Sequence, residues 1–307
     1  MSRNDDCRVT IGEWTGRLAC LVLLAALGLP GCMTLDSNLF DPTKVAEYFM
    51  AADMDTAWHV RGNVIPGSLR DAVTLNSLDG NRIYGFFVRA LPDTDGTTQS
   101  RPTVLYCHGN GQNINRYWGR VELLWEMGCN VFIFDYEGYG KSEGSPSGAA
   151  CYADGEAALT YVLGRTDVDT TRLAYYGWSL GSFVAMHLAT DVRAPAALVL
   201  ENPLASTSAL AKEGAVLAIP GSFVAEADFD NERRVADGEP ETRLFIVYGK
   251  LDDTAVPERN AQVLLKEAWG WKEIDSRVVE DAGHSDIPEK MGYPEYRRKI
   301  SEFLSGQ

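Results

Sequence analysis

The chain has 307 residues, of which 45% are hydrophobic and 23% charged, and a formal net charge of −15. A chain of that size and composition buries a core of its own and needs no metal or disulfide staple. Its acidic balance argues against a nucleic-acid partner, which requires a Lys/Arg surface, and reads as a solvated surface that keeps the protein soluble.

The first segment is polar and carries Arg3, Arg8 and Arg17, and the run LACLVLLAALGLPGC follows at 18–32. The apolar stretch falls short of the ~20 residues that span a bilayer and has the character of a secretory h-region. Leu29-Pro30-Gly31-Cys32 resembles a bacterial lipobox. The resemblance implies a signal over 1–31, cleavage before Cys32, lipid on its thiol, and an exported enzyme held at a membrane surface without a spanning helix. An ordinary signal peptide with an incidental cysteine and an uncleaved anchor stand as alternatives. The other cysteines show no C-x-x-C spacing, which excludes zinc-ribbon and thioredoxin motifs. Cys107, Cys129 and Cys151 lie in or beside apolar runs and are read as buried, inert thiols.

Residues 32–69 are read as a tether and N-terminal extension, with a short helix over 44–54. From residue 70 the pattern becomes regular. Strands are expected at 71–77 and 82–90, joined by a turn at Leu78-Asp79-Gly80-Asn81 and therefore antiparallel. Short apolar runs predict buried strands at 102–107, 129–136, 172–177, 196–202 and 243–249, with a further strand at 275–280. Helices are expected at 115–127, 149–164, 180–190, 206–218, 257–268 and 294–304. Strands alternating with helices predict an α/β domain over 70–307, with a mainly parallel sheet, an antiparallel N-terminal strand and helices on both faces.

The chemistry centres on Gly177-Trp178-Ser179-Leu180-Gly181. The pattern alone is weak, but here it joins a predicted strand to a predicted helix, the context a nucleophile elbow requires. A serine hydroxyl needs a base to take its proton, and the chain has four histidines. His187 is eight residues along the same helix, about 12 Å away in axial rise. His59 precedes the sheet, and His108 belongs to another motif. His284 follows the last strand and fits the chain order serine, acid, histidine. The acid falls in Gly249-Lys250-Leu251-Asp252-Asp253-Thr254-Ala255-Val256-Pro257. Asp252 is favoured because it is nearer the strand end; Asp253 is the alternative, and the aspartate not used is expected to cap the following turn.

HGNGQN (108–113), FDYEGYGKSEGSPS (134–147), GWSLGS (177–182), YGKLDD…VP (248–257) and AGH (282–284), in this order, resemble the α/β-hydrolase superfamily over about residues 70–305. The likeness is strongest to its cap-poor esterase and serine-peptidase-like branch. It implies an α/β-hydrolase fold, a Ser179–His284–Asp252 triad, and an oxyanion hole from the backbone N–H groups of Asn110 and Leu180. His108 is then structural, and Tyr136 and Tyr139 either line the pocket or pack under the oxyanion loop. The implied reaction is hydrolysis of a small carboxylic ester or acyl substrate without a cofactor. Peptide or thioester hydrolysis, and a non-catalytic binding protein on the same fold, stand as alternatives. No HExxH, Rossmann or P-loop pattern is present.

Overall fold

A buried strand must pair its backbone N–H and C=O groups with another strand, and the short apolar runs of this chain do so in a single eight-stranded sheet. The computed structural model describes residues 39–49, 65–92, 101–207 and 229–306. In chain order the elements are β1 (Arg70–Asn76), β2 (Arg82–Val88), β3 (Thr103–Cys107), α1 (Ile114–Glu126), β4 (Asn130–Phe134), α2 (Gly148–Leu163), β5 (Leu173–Trp178) and α3 (Gly181–His187). They continue with β6 (Ala197–Glu201), α4 (Asn231–Asp237), β7 (Arg243–Gly249), α5 (Ala261–Glu267), β8 (Glu273–Val279), α6 (Ile287–Met291) and α7 (Tyr293–Ser305).

The sheet order is β8-β7-β6-β5-β3-β4-β2-β1. All neighbours are parallel except β2, which runs against both β1 and β4. The β1–β2 hairpin closes at the expected turn, where Ser77 N–H donates to Asn81 O (2.7 Å) and Gly80 takes a φ of 97°. Each side of the sheet has its own core. On β3, Leu105 and Cys107 face one cluster, with α2, α3 and α5; Val104 and Tyr106 face the other, with α1 and α7. This is the two-residue alternation of a strand covered on both faces.

Side chains set the helix boundaries. Asn113 accepts from the N–H of Asn115 (3.1 Å) and starts α1, and the Ser147 hydroxyl accepts from Ala150 N–H (3.0 Å) and starts α2; such caps satisfy donors that the first turn leaves free. The helix expected over 180–190 is α only to His187 and continues as a π turn over Leu188–Val192. The helix expected over 257–268 begins as a 3-10 turn, Pro257–Arg259, and breaks at Asn260. Asn260 is buried and turned inward: its Oδ1 accepts from Ala205 N–H (2.8 Å) and its Nδ2 donates to Val256 O (3.1 Å).

Other elements depart from expectation. Residues 44–49 are not helical; Thr43 and Val45 pair with Gln112 and Gly140. Asp41–Pro42 forms a short parallel ladder with Gly111–Gln112, and Phe40 is buried in the core. The extension therefore packs on the domain where it is described. Edge strand β8 begins earlier than expected because its first residues are exposed and offer no buried run to mark the start. The helix read at 206–218 lies outside the described residues apart from its first two positions, as does the whole signal-like segment with Cys32; α4 and α6 were not anticipated. Cys107, Cys129 and Cys151 are buried, and burial pushes the Cys129 thiol up to about 12, leaving it protonated and unreactive.

Candidate active site

Loops at the C-terminal ends of β3, β5, β7 and β8 converge above the sheet, as expected of open parallel sheets. Ser179 follows β5 with a φ of 53°, a left-handed conformation that non-glycine residues rarely hold. The flanking glycines are sterically obligatory. A Cβ at Gly181 would lie 1.9 Å from Cys107 O, and one at Gly177 would lie 2.6 Å from Gly181 O. Without those side chains, α3 starts directly against β3 and β5, and the turn lifts the serine side chain over the sheet.

Around this turn the sequence-predicted residues meet. The Ser179 hydroxyl donates to His284 Nε2 (2.8 Å), and His284 Nδ1–H donates to Asp252 Oδ2 (2.8 Å). Asp252 is buried, and its second oxygen, Oδ1, accepts from the N–H groups of Thr254 (2.9 Å) and Ala255 (2.8 Å). That arrangement corrects one expectation: Asp252 itself caps the turn. Asp253 is exposed, and the Thr254 hydroxyl lies 3.4 Å from its Oδ1.

Gly109, Asn110 and Leu180 line a cavity of about 300 Å³ with Ser179, His284, Trp178 and Leu204. The Asn110 side chain is tied back: Oδ1 accepts from Tyr139 Oη–H (2.7 Å) and Asp41 N–H (3.0 Å), and Nδ2 donates to Leu39 O (2.6 Å). Among the described residues nothing accepts a hydrogen bond from the backbone N–H of Asn110 or Leu180. Tyr136 and Tyr139 pack under this loop and not in the cavity: both are buried, and Tyr136 Oη–H donates to His108 O (3.0 Å). His108 is fully buried and stacked on Tyr117, its Nδ1–H donating to Gly109 O (2.7 Å) and its Nε2 lying 3.2 Å from Asp135 Oδ1. His187 stands apart, between Glu156 (2.9 Å) and Asp191 (3.1 Å).

Sequence reasoning missed a charged network beneath the histidine loop. Arg120 of α1 and Glu201 at the end of β6 form a buried ion pair, with Arg120 Nε 3.0 Å from Glu201 Oε1. Glu201 also accepts from Tyr176 Oη–H and from Tyr296 Oη–H (2.8 Å). Arg120 donates to Ser285 O (3.1 Å) and stacks over Trp178 (3.8 Å), whose indole N–H donates to His284 O (3.2 Å). The available signal was helical spacing. Arg120 lies three residues after Tyr117 and four before Leu124, on the face that α1 buries; a charge there needs a buried partner.

Among the described residues no group of three or more His, Cys, Asp or Glu side chains is arranged to hold a metal ion, and no helix is long and apolar enough to cross a membrane.

A serine on a strand-to-helix elbow, reached by a histidine from beyond the last strand of this sheet, defines a class. The chain belongs to the α/β-hydrolase superfamily, and it is a hydrolase. The family profile described as serine aminopeptidase, S33, matches residues 98–237. The uncharacterized protein YfhR of Salmonella typhi is 30% identical over 230 residues, covering 70% of this chain and 75% of the relative. The Pyrococcus furiosus esterase Pf2001 shares the fold with a TM-score of 0.65 at 20% identity, over 87% of this chain and 98% of the esterase. Acetyl xylan esterase 1 from Thermoanaerobacterium sp. JW/SL YS485 matches with a TM-score of 0.59 at 15% identity, over 78% and 86% of the two chains.

Proposed function

We propose that the protein hydrolyses carboxylic esters through an acyl-enzyme intermediate. The observation that carries this reading is the unbroken relay from the Ser179 hydroxyl through His284 to Asp252, with both contacts at 2.8 Å. Ser179 Oγ attacks the ester carbonyl while His284 Nε2 takes its proton, and Asp252 stabilises the imidazolium. The tetrahedral oxyanion sits against the N–H groups of Asn110 and Leu180; losing one such donor typically costs ~3–4 kcal/mol. The imidazolium then protonates the leaving alkoxide and the ester C–O bond breaks. Water, deprotonated by the same imidazole, attacks the acyl group; the imidazolium then returns a proton to Ser179 Oγ as the acyl C–O bond breaks and the acid leaves.

The size of the cavity, about 300 Å³, supports a small acyl or ester substrate, and the esterases among the structural neighbours agree with that class. Peptide hydrolysis is the second reading, favoured by the family profile matched at 98–237; thioesters fit the same chemistry. A fluorophosphonate probe should label the wild type and not Ser179→Ala, after which matched esters, thioesters and N-terminal peptides rank the substrates. A well-folded wild type left unlabelled would instead support a binding protein on this fold.

The segment ending in Leu-Pro-Gly-Cys32 supports an exported protein carrying lipid on Cys32. Metabolic labelling with palmitate should mark the wild type and not Cys32→Ala; equal labelling of both would remove this part of the proposal.

A further inference from the structure

We infer that Asn202 is a positioning residue that holds the acid and base loops in register over Ser179, an inference that rests on the triad reading above. Asn202 follows β6 directly, in a left-handed conformation with φ 43°. Asparagine tolerates that region far better than branched or bulky residues do. Its side chain is buried, and both amide hydrogens and the oxygen are engaged. Nδ2 donates to His284 O (2.7 Å) and Gly283 O (3.1 Å), and Oδ1 accepts from Gly249 N–H (2.8 Å). Its backbone N–H donates to Val247 O (2.9 Å).

These partners lie on the two segments that must agree for the relay to exist. Gly249 ends β7, three residues before Asp252, and its N–H is held by the same amide group that holds the His284 backbone. Gly249 itself sits hard against the histidine loop, where an added Cβ would lie 2.4 Å from Ala282 O. One planar amide therefore sets the separation of the segment bearing the carboxylate from the segment bearing the imidazole. Trp178 Nε1–H, at 3.2 Å, is a second donor to His284 O, but it belongs to the serine strand and does not reach the acid segment.

Asn202→Asp is the decisive change. It keeps the shape, the tolerance of positive φ and the acceptor for Gly249, but replaces a donor by an anionic oxygen facing two carbonyl oxygens. Repulsion and burial favour the protonated form of that carboxyl, which regains one donor. Asn202→Gly keeps the backbone conformation and removes the whole clamp, with nothing to titrate.

The test measures p-nitrophenyl butyrate kinetics and the fluorophosphonate labelling rate at pH 6 and pH 8, with thermal melts, for wild type, both Asn202 variants and Ser179→Ala. A displaced catalytic group costs on the order of 100-fold. We expect Asn202→Asp to lose about that factor in kcat and labelling at pH 8, with KM within about twofold because ground-state binding is untouched. Its deficit relative to wild type should shrink at pH 6, whereas that of Asn202→Gly should be the same at both pH values. Folded variants with wild-type kcat, a loss confined to KM, or deficits that change with pH identically in the two variants would overturn the inference. Should Asn202→Asp fail to fold, the kcat and KM of Asn202→Gly decide. A wild type that is neither labelled nor active overturns the triad reading and the inference with it, whereas a labelled wild type matched by its Asn202 variants overturns the inference alone.

Discussion

Asparagine at position 252 has the size of the native aspartate, and the surrounding turn dictates which way its amide points. Oδ1 accepts from two backbone N–H groups, Thr254 at 2.9 Å and Ala255 at 2.8 Å. An amide NH₂ there would face two donors, so asparagine keeps its oxygen toward the turn and its NH₂ toward His284 Nδ1, now 2.8 Å away. Nδ1 must then accept, the imidazole proton moves to Nε2, and Nε2 can no longer take the Ser179 proton. The same wrong-tautomer logic costs about 10⁴ in kcat in a serine protease triad, equivalent to about 5 kcal/mol of barrier. Asp253→Asn touches an exposed side chain 3.4 Å from the Thr254 hydroxyl; surface changes of this kind shift stability by at most about 0.5 kcal/mol, and turnover is expected to stay near that of wild type. Ester turnover and fluorophosphonate labelling of both variants measure the difference. Asp252→Asn retaining more than about a tenth of wild-type kcat, or Asp253→Asn losing more than Asp252→Asn, would refute the argument.

Three further outcomes are expected. If His284 takes the Ser179 proton, His284→Ala should lower kcat by at least about 100-fold; a folded variant within about tenfold of wild type would remove His284 from that role. Arg120→Met leaves Glu201 buried with its two tyrosine donors but without its cation, so urea unfolding should report a loss of about 3–5 kcal/mol; a loss under about 1 kcal/mol would mean that the ion pair adds little to stability. Burial pushes the Asp154 carboxyl up to about 7, whereas in the unfolded chain an aspartate titrates near 4. The native state therefore binds more protons between those values, and this group's contribution to stability is present at low pH and is lost as pH rises through about 7. The thermal midpoint of Asp154→Asn minus that of wild type should rise from pH 5 to pH 8; a difference independent of pH would contradict this.

The legible parts of the sequence were those in which one local pattern has one physical solution. Runs such as Thr103–Cys107 and Ala197–Glu201 are buried throughout, and such a run bounded by turn residues reads as a central strand. The elbow was readable because Gly177 and Gly181 occupy places where any side chain collides with backbone. Asp252 and Asp253 could not be separated by counting, since the choice depends on which carboxylate the Thr254 and Ala255 N–H groups capture. Arg120 with Glu201, and Asn202 with Gly283 and His284, are 81 and 81–82 residues apart. No periodicity links such positions. Asp41–Pro42 likewise reads as loop in isolation and acquires strand geometry only where Gly111–Gln112 offers free backbone groups.

Strand order explains why the end of β6 carries so much polar function while supplying none of the three relay residues. β5 bears Ser179, and β8, which precedes His284, lies three places away in the order β8-β7-β6-β5. At about 4.8 Å between neighbouring strands, the histidine loop must cross roughly 14 Å of sheet end to reach the serine. It passes over the end of β7, where Asp252 follows, and then over β6. A loop crossing a sheet end presents backbone carbonyls to whatever lies beneath, and buried carbonyls without donors are costly. Glu201 and Asn202 are the residues beneath. Asn202 supplies donors to Gly283 O and His284 O directly, and Glu201 anchors Arg120, which supplies one to Ser285 O. Polar residues at this strand end therefore follow from the distance the His284 loop must travel, and Glu201→Leu should disturb His284 even though the two side chains belong to different segments. Ester turnover should fall in that variant while the sheet remains folded, as read by far-ultraviolet circular dichroism; full turnover would show that the loop holds its own path.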